Sequence, residues 1–240
     1  MKVRSIYSPN FNKKRRSYKS IKFLIIHYTG MQSERESIIK LCNSKSKVSS
    51  HFVINQKGKI YRLVQDNQIA WHAGKSCWGK YKNLNKTSIG IELVNKGHKF
   101  GYTNFKKKQL SSLIKICKNL IRKYRIKKQN IVGHSDVAPL RKIDPGEKFP
   151  WKELAYEKIG IWYNCNTKIL KKLMKVRISS KFKLEFINNL KKIGYYFDSK
   201  KKANFAKVIK AFQRHYRKEL INGIIDKECL LISKNILKKI

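Results

Sequence analysis

The sequence predicts an α/β chain of the α+β kind, with strands and helices mixed over residues 1–164 and a small domain of three helices over residues 165–240. Three observations carry this reading. Short aliphatic and β-branched runs, bounded by Gly, Pro, Asn and Ser, recur as far as residue 133. A 3.6-residue apolar period runs through residues 105–124. Beyond Cys165 the strand pattern stops and only helical periodicity continues.

Taken in order, residues 21–29 (IKFLIIHYT) read as a buried strand that ends in a histidine. Ser33 and Glu36 have the spacing of a capping box and start a short helix over residues 33–42. HFVINQKGKIYRLV is a hairpin around Asn55, Gln56, Lys57 and Gly58. Residues 70–85, AWHAGKSCWGKYKNLN, read as a long irregular loop, and residues 88–95 as a strand with Glu92 inside an apolar run. Along residues 105–124, Leu110, Leu113, Ile114, Cys117, Leu120, Ile121 and Tyr124 form one stripe against a lysine face. Residues 130–133 are a strand end, VGHSDVAPLRKIDPG a loop, and Pro150 starts a helix. In the tail, helices are expected over residues 181–193, 202–217 and 226–237, separated by GYYFDSK and ELINGIID, behind a lysine-rich connector at residues 167–183. Phe205, Val208, Ile209 and Phe212 recur at helical spacing and are expected in that domain's core.

With 41% hydrophobic and 30% charged residues the chain is neither a disordered polyelectrolyte nor a membrane protein, and no apolar run nears the roughly 20 residues that span a bilayer. The basic N-terminus lacks the apolar stretch of a signal peptide, and the five scattered cysteines form no disulfide or zinc-finger pattern. A reducing, cytoplasmic setting is the expectation from these two facts. The net charge of +43 has two readings. It favours polyanions such as nucleic acid, anionic lipid or an acidic wall polymer; equally, lysine in excess over arginine beside abundant Ile, Asn and Tyr is what an AT-rich genome imposes on any protein.

Four side chains are costly where they fall. His27 ends a buried strand, Glu92 interrupts an apolar one, His134 follows a strand, and Asp144 lies ten residues on. Buried imidazoles and carboxylates are expensive unless paired or bound to metal. Two histidines and an aspartate are a common ligand set for a catalytic zinc with one open position, and a nearby free carboxylate can serve as general base. Against this stand the ordinary readings, a satisfied core histidine and a solvent-facing strand glutamate.

The stretches IIHYT, SSHFVI, AWHAG, SIGIELVN, VGHSDVAPLRKIDPG and FPW, in this order and spacing, resemble the type 2 N-acetylmuramoyl-L-alanine amidases, over residues 21–162. The family's fold is a central mixed β-sheet flanked by helices, shared with the phage lysozyme-like amidases. The resemblance implies one Zn2+ per chain on His27, His134 and Asp144, Glu92 as catalytic acid/base, and Lys142 as the group that stabilises the oxyanion. It implies hydrolysis of the amide between the lactyl group of N-acetylmuramic acid, or its anhydro form, and L-alanine, in peptidoglycan turnover or recycling. The tail, LKKIGYYFD to VIKAFQRHYRKELINGIIDKE, resembles the peptidoglycan-binding domain of the outer-membrane subgroup active on intact and anhydro-muropeptides. That subgroup is exported and lipid-anchored, and here neither a signal peptide nor a lipobox cysteine is seen.

The expected partners are therefore peptidoglycan or muropeptides, with no specific nucleic acid, no transmembrane segment and a monomeric chain. The rival readings are a non-catalytic peptidoglycan-recognition protein of the same fold and, further off, a nucleic-acid-binding protein. His72 either walls the cleft or is an ordinary loop histidine; His51 is structural or supports the ligands; His98 and His215 receive no role. A chain ending near Tyr163 is expected to keep zinc and lose only its hold on insoluble wall, through loss of the lysines and the GYY loop.

Overall fold

The computed structural model describes residues 2–198 and 202–240. Strand β1 (Val3–Ser5) and β2 (Phe11–Asn12) precede β3 (Phe23–Tyr28), the expected buried strand. Helix α1 (Glu34–Cys42) is capped as its sequence requires: the Ser33 hydroxyl accepts from Glu36 N at 3.1 Å. The reciprocal half lands one residue earlier than a capping box would place it, on Gln32 N, 3.2 Å from Glu36 Oε2. The expected hairpin is β4 (Phe52–Ile54) with β5 (Ile60–Arg62), paired antiparallel.

Strand β6 (Ile69–Ala70) pairs with β2. The segment expected as an irregular loop contains a small hairpin, β7 (Cys77–Trp78) with β8 (Tyr81–Lys82). Strand β9 (Ser88–Leu93), helix α2 (Lys107–Tyr124) and strand β10 (Ile131–Gly133) follow. They lead into a single turn of helix, α3 (His134–Val137), and then α4 (Trp151–Tyr156).

The main sheet has six strands in the order β1-β5-β4-β9-β3-β10, all neighbours parallel except the β4–β5 pair. It is the mixed sheet the resemblance implies. Alternate residues of a strand face opposite sides. Leu24 and Ile26 of β3 and Ile89, Ile91 and Leu93 of β9 join Leu113, Ile116, Cys117 and Leu120 of α2 in one buried cluster. Cys117 is core filler, as its place in the stripe requires, and all five cysteines are free.

The other face is covered at one end by α1, whose Leu41 meets Val53 and Tyr61, and elsewhere by the helical tail. The three expected tail helices are α6 (Ser180–Ile193), α7 (Phe205–Tyr216) and α8 (Lys227–Leu237). The connector before them also holds a short helix, α5 (Thr167–Leu173), started by the Asn166 side chain, which accepts from Lys168 N and Ile169 N. Its Leu170 is buried in the tail cluster, which is why a lysine-rich segment folds there. Val208, Ile209 and Phe212 are buried and Phe205 packs against them. The same cluster takes in Phe23, Ile25, Val132 and Val137 from the sheet side. Ser199 and Lys200 of the GYYFDSK connection lie outside the described residues. Among the described residues no helix is long and apolar enough to cross a membrane.

Candidate active site

Strands β10, β3 and β9 run parallel side by side, and their C-terminal ends form the floor of the site. The register pairs Gly133 with Ile26 and His27 with Glu92. His134, the next residue after Gly133, therefore arrives beside His27, with Glu92 on the other side. By the two-residue alternation of strands, His27 shares a face with Phe23 and Ile25, and Glu92 with Ser88 and Gly90. The ends of parallel strands are where open α/β sheets place their ligands. Asp144 comes in from the loop after α3, whose Ser135 N–H donates to the Asp144 carbonyl at 2.8 Å.

Three donor atoms converge. His27 Nδ1 and His134 Nδ1 are 2.9 Å apart, and Asp144 Oδ2 lies 3.1 Å from the first and 3.0 Å from the second. A tetrahedral zinc with bonds of about 2.0–2.1 Å holds its ligands about 3.3 Å apart, close to this spacing. The outward nitrogens identify the tautomers. His134 Nε2 faces the Ala73 carbonyl, an acceptor, at 3.3 Å, and Arg141 Nη2, 3.4 Å from Nε2, donates to that same carbonyl; a proton on Nε2 leaves Nδ1 a bare lone pair. His27 Nε2 faces His72 Nδ1 at 3.0 Å; His72 Nε2 meets Ser88 Oγ at 3.2 Å, and Ser88 Oγ donates to the Leu84 carbonyl at 2.6 Å.

With Ser88 as donor to Leu84, the chain closes if His72 Nε2 and His27 Nε2 both carry protons. Both Nδ1 atoms and the carboxylate oxygen are then acceptors facing one another with no donor between them. A cation satisfies that arrangement, and the donor set suits zinc. Burial, and next the neighbouring His134, push His27 down to about 4, so its imidazole is neutral at pH 7. Among the described residues no other trio of His, Cys, Asp or Glu gathers in this way.

Glu92 Oε1 is 4.0 Å from His27 Nδ1, and its Oε2 is buried with no hydrogen-bond partner among the described residues. Burial, followed by the Asp144 charge, raises the Glu92 carboxyl to about 8, while Lys142 pulls it back. Lys142 is half-buried on the wall of the same cleft, a cavity of about 380 Å3 that Trp71 and Tyr28 also line. All five residues singled out in the sequence, His27, Glu92, His134, Lys142 and Asp144, are thus gathered around one cleft.

The AWHAG loop does more than wall that cleft. His72 stands behind His27, and the Ala73 carbonyl behind His134, so adjacent residues orient both imidazoles from outside. Such outer partners set the tautomer and aim of ligating histidines. Arg141 holds the loop in place, donating to the Ala73 and Lys75 carbonyls. Gly90 is required for this packing, because a Cβ there would lie 2.5 Å from the His72 ring. The His-Ala pair offered no periodicity or charge signal in the sequence; the nearest one was Gly90, lodged inside an apolar strand.

His51 is structural, its Nδ1 accepting from Gly90 N at 3.1 Å. His98 lies on the cleft rim between Tyr28 Oη and Glu147, at 2.9 and 3.0 Å. His72→Leu is expected to weaken zinc binding by about 10- to 100-fold, the usual cost of losing an outer partner. A competition titration against a chromogenic chelator measures it, and an unchanged dissociation constant contradicts the role.

Residues 17–147 match the family model described as N-acetylmuramoyl-L-alanine amidase. The chain belongs to that family. This amidase is 36% identical over 241 residues to N-acetylmuramoyl-L-alanine amidase AmiD of Escherichia coli K12, covering 93% of this chain and 84% of AmiD. It is 33% identical over 167 residues to the 1,6-anhydro-N-acetylmuramyl-L-alanine amidase AmpD of Haemophilus influenzae, covering 62% of this chain and 88% of AmpD. The solved complex of E. coli AmiD with anhydro-N-acetylmuramic acid-L-Ala-D-γ-Glu-L-Lys superposes with a TM-score of 0.82 at 33% identity, over 95% of this chain and 93% of that one. AmpDH3 of Pseudomonas aeruginosa in complex with an anhydromuramic pentapeptide superposes at 0.81 and 31% identity, over 95% and 96%. The matches to AmiD and AmpDH3 each cover 95% of this chain and so extend through the helical tail of the amidase.

Proposed function

We propose that this amidase is a zinc enzyme that cleaves the amide between the lactyl group of N-acetylmuramic acid, intact or anhydro, and the L-alanine of the stem peptide. The observation that carries the reading is the trio of converging acceptors, His27 Nδ1, His134 Nδ1 and Asp144 Oδ2, beside a buried carboxylate in an open cleft. Its support from relatives is the pair of solved complexes, whose bound molecules are an anhydro-muramic tripeptide and pentapeptide.

His27, His134 and Asp144 would hold the ion, and Zn2+ there supplies Lewis acidity toward water and the scissile carbonyl. Glu92 takes the proton of the attacking water and returns it to the departing alanine amine. A carboxyl with affinity for protons near neutral pH suits both transfers. Lys142, on the same wall, faces negative charge as it develops on the carbonyl oxygen. Burial raises the proton affinity of Glu92 in the metal-free protein, and its Oε2 has no competing partner among the described residues.

We read residues 1–164 as the amidase domain and 165–240 as a helical domain of the peptidoglycan-binding type, supported by the confinement of strands, among the described residues, to the first part. The deciding experiment incubates the full-length protein with anhydro-muropeptide and with intact sacculi, with and without a chelator, and reads products by mass spectrometry. Release of free stem peptide that stops with chelator and returns with Zn2+ is the expected result. Zinc-loaded protein that binds muropeptide but releases no peptide would favour a non-catalytic recognition protein.

A further inference from the structure

Asp136 is 1% exposed and lies two residues after His134, inside the one-turn helix α3. A buried carboxylate is costly unless hydrogen bonds surround it. Three donors do so here. Gly133 N donates to Oδ2 at 2.7 Å, His215 Nδ1 to Oδ2 at 2.7 Å, and Tyr195 Oη to Oδ1 at 2.8 Å. Two of the three come from the helical tail.

Both tail groups are built for the task. The His215 ring is stacked between Trp151, with centroids 3.9 Å apart and planes 12° apart, and Tyr216, at 4.1 Å and 20°. His215 Nε2 has no partner among the described residues, so the proton belongs on Nδ1, where the carboxylate accepts it. Tyr195 is 2% exposed, and burial raises its hydroxyl well above the usual range, which keeps it a donor. Its neighbour Tyr196 is 51% exposed, so only half of the GYY loop is free to meet a ligand.

Tyr195 arrives there because Gly194, at φ +136°, seats the end of α6 against Trp78; a Cβ would fall 2.3 Å from that indole. Gly79 N–H donates to the Gly194 carbonyl at 2.7 Å, fastening the tail to the β7–β8 hairpin. The turn gripped through Asp136 carries His134, and its Ser135 N–H reaches the Asp144 backbone at 2.8 Å. A pull on Asp136 is therefore felt by two of the three metal donors.

We propose that Tyr195 and His215 are positioning residues of the metal centre, acting through Asp136, so that the helical tail is part of the support of the His134 turn. The inference rests on the assignment of zinc to His27, His134 and Asp144. It reverses the expectation that a chain ending near Tyr163 keeps its metal: such a chain exposes Phe23, Ile25, Val132 and Val137 and strips Asp136 of two donors.

The test uses full-length protein and three variants, His215→Leu, His215→Asn and Tyr195→Phe. The zinc dissociation constant is measured by competition with a chromogenic chelator, and the visible spectrum of the Co2+-substituted protein reports ligand geometry. His215→Leu and Tyr195→Phe should weaken zinc binding by about 10- to 100-fold and alter the cobalt spectrum. His215→Asn, whose amide N–H takes the place of Nδ1–H, should recover most of the affinity. Wild-type zinc affinity and cobalt spectrum in both His215→Leu and Tyr195→Phe overturn the inference, even if thermal stability falls. If His215→Leu does not fold, Tyr195→Phe decides alone, since it removes one hydroxyl. A wild type that binds no zinc overturns the zinc assignment itself, whereas equal binding by wild type and variants overturns this inference only.

Discussion

Alanine at His27, at His134 or at Asp144 should remove zinc and activity together. Three protein ligands are the usual complement of a catalytic zinc, and each substitution leaves two. Removal of an outer partner costs about 10–100-fold in metal affinity, and removal of a ligand should exceed that range. The order of effects, each ligand above His72, is itself a check. Metal per chain after dialysis and muropeptide turnover are the two measurements. Stoichiometric zinc in all three variants would exclude the assigned ligands.

Glu92→Gln should leave zinc content and fold intact and lower turnover by about 10²–10⁴-fold, the range for a general acid/base. Glutamine keeps the shape of the side chain and cannot carry the proton, so the loss reports proton transfer and not packing. A second readout has a definite sign. In the metal-free protein burial pushes the Glu92 carboxyl up to about 8 in the folded chain, against an ordinary glutamate's 4.5. Between those values the folded chain binds the extra proton, so stability falls as pH rises through that window. The glutamine variant lacks this slope and should be the more stable protein at pH 8 in chemical denaturation. Activity within a few-fold of wild type would assign the proton transfer to another group.

Much of this was legible in the chain because the signals are local. Strand β3 announces itself by four consecutive buried aliphatic and aromatic residues, and α2 by its stripe. Glu92 and His27 were conspicuous because each interrupts such a pattern, and a polar group in an apolar run needs a reason. The β7–β8 hairpin was not legible: its strands are two residues each, too short to alternate. Strand β1 was missed for the same reason, and its pairing with β5 is a long-range event. Helix α5 was masked by its lysines, because only Leu170 faces inward.

By itself the sequence determined the longer elements, since strand and helix periods are properties of neighbouring residues, and its ordered motifs carried the resemblance to the family and, through it, the five residues that meet in the cleft. Only the tertiary structure decided what stands behind them. His72 and Ala73 act because the parallel pairing of β3 with β9 and the absence of a side chain at Gly90 bring that loop under His27. His215, unremarkable in its helix, has a partner 79 residues away in sequence. Hydrogen bonds are short-ranged, so such partnerships exist only once the tail has docked on the sheet, and no local pattern encodes them.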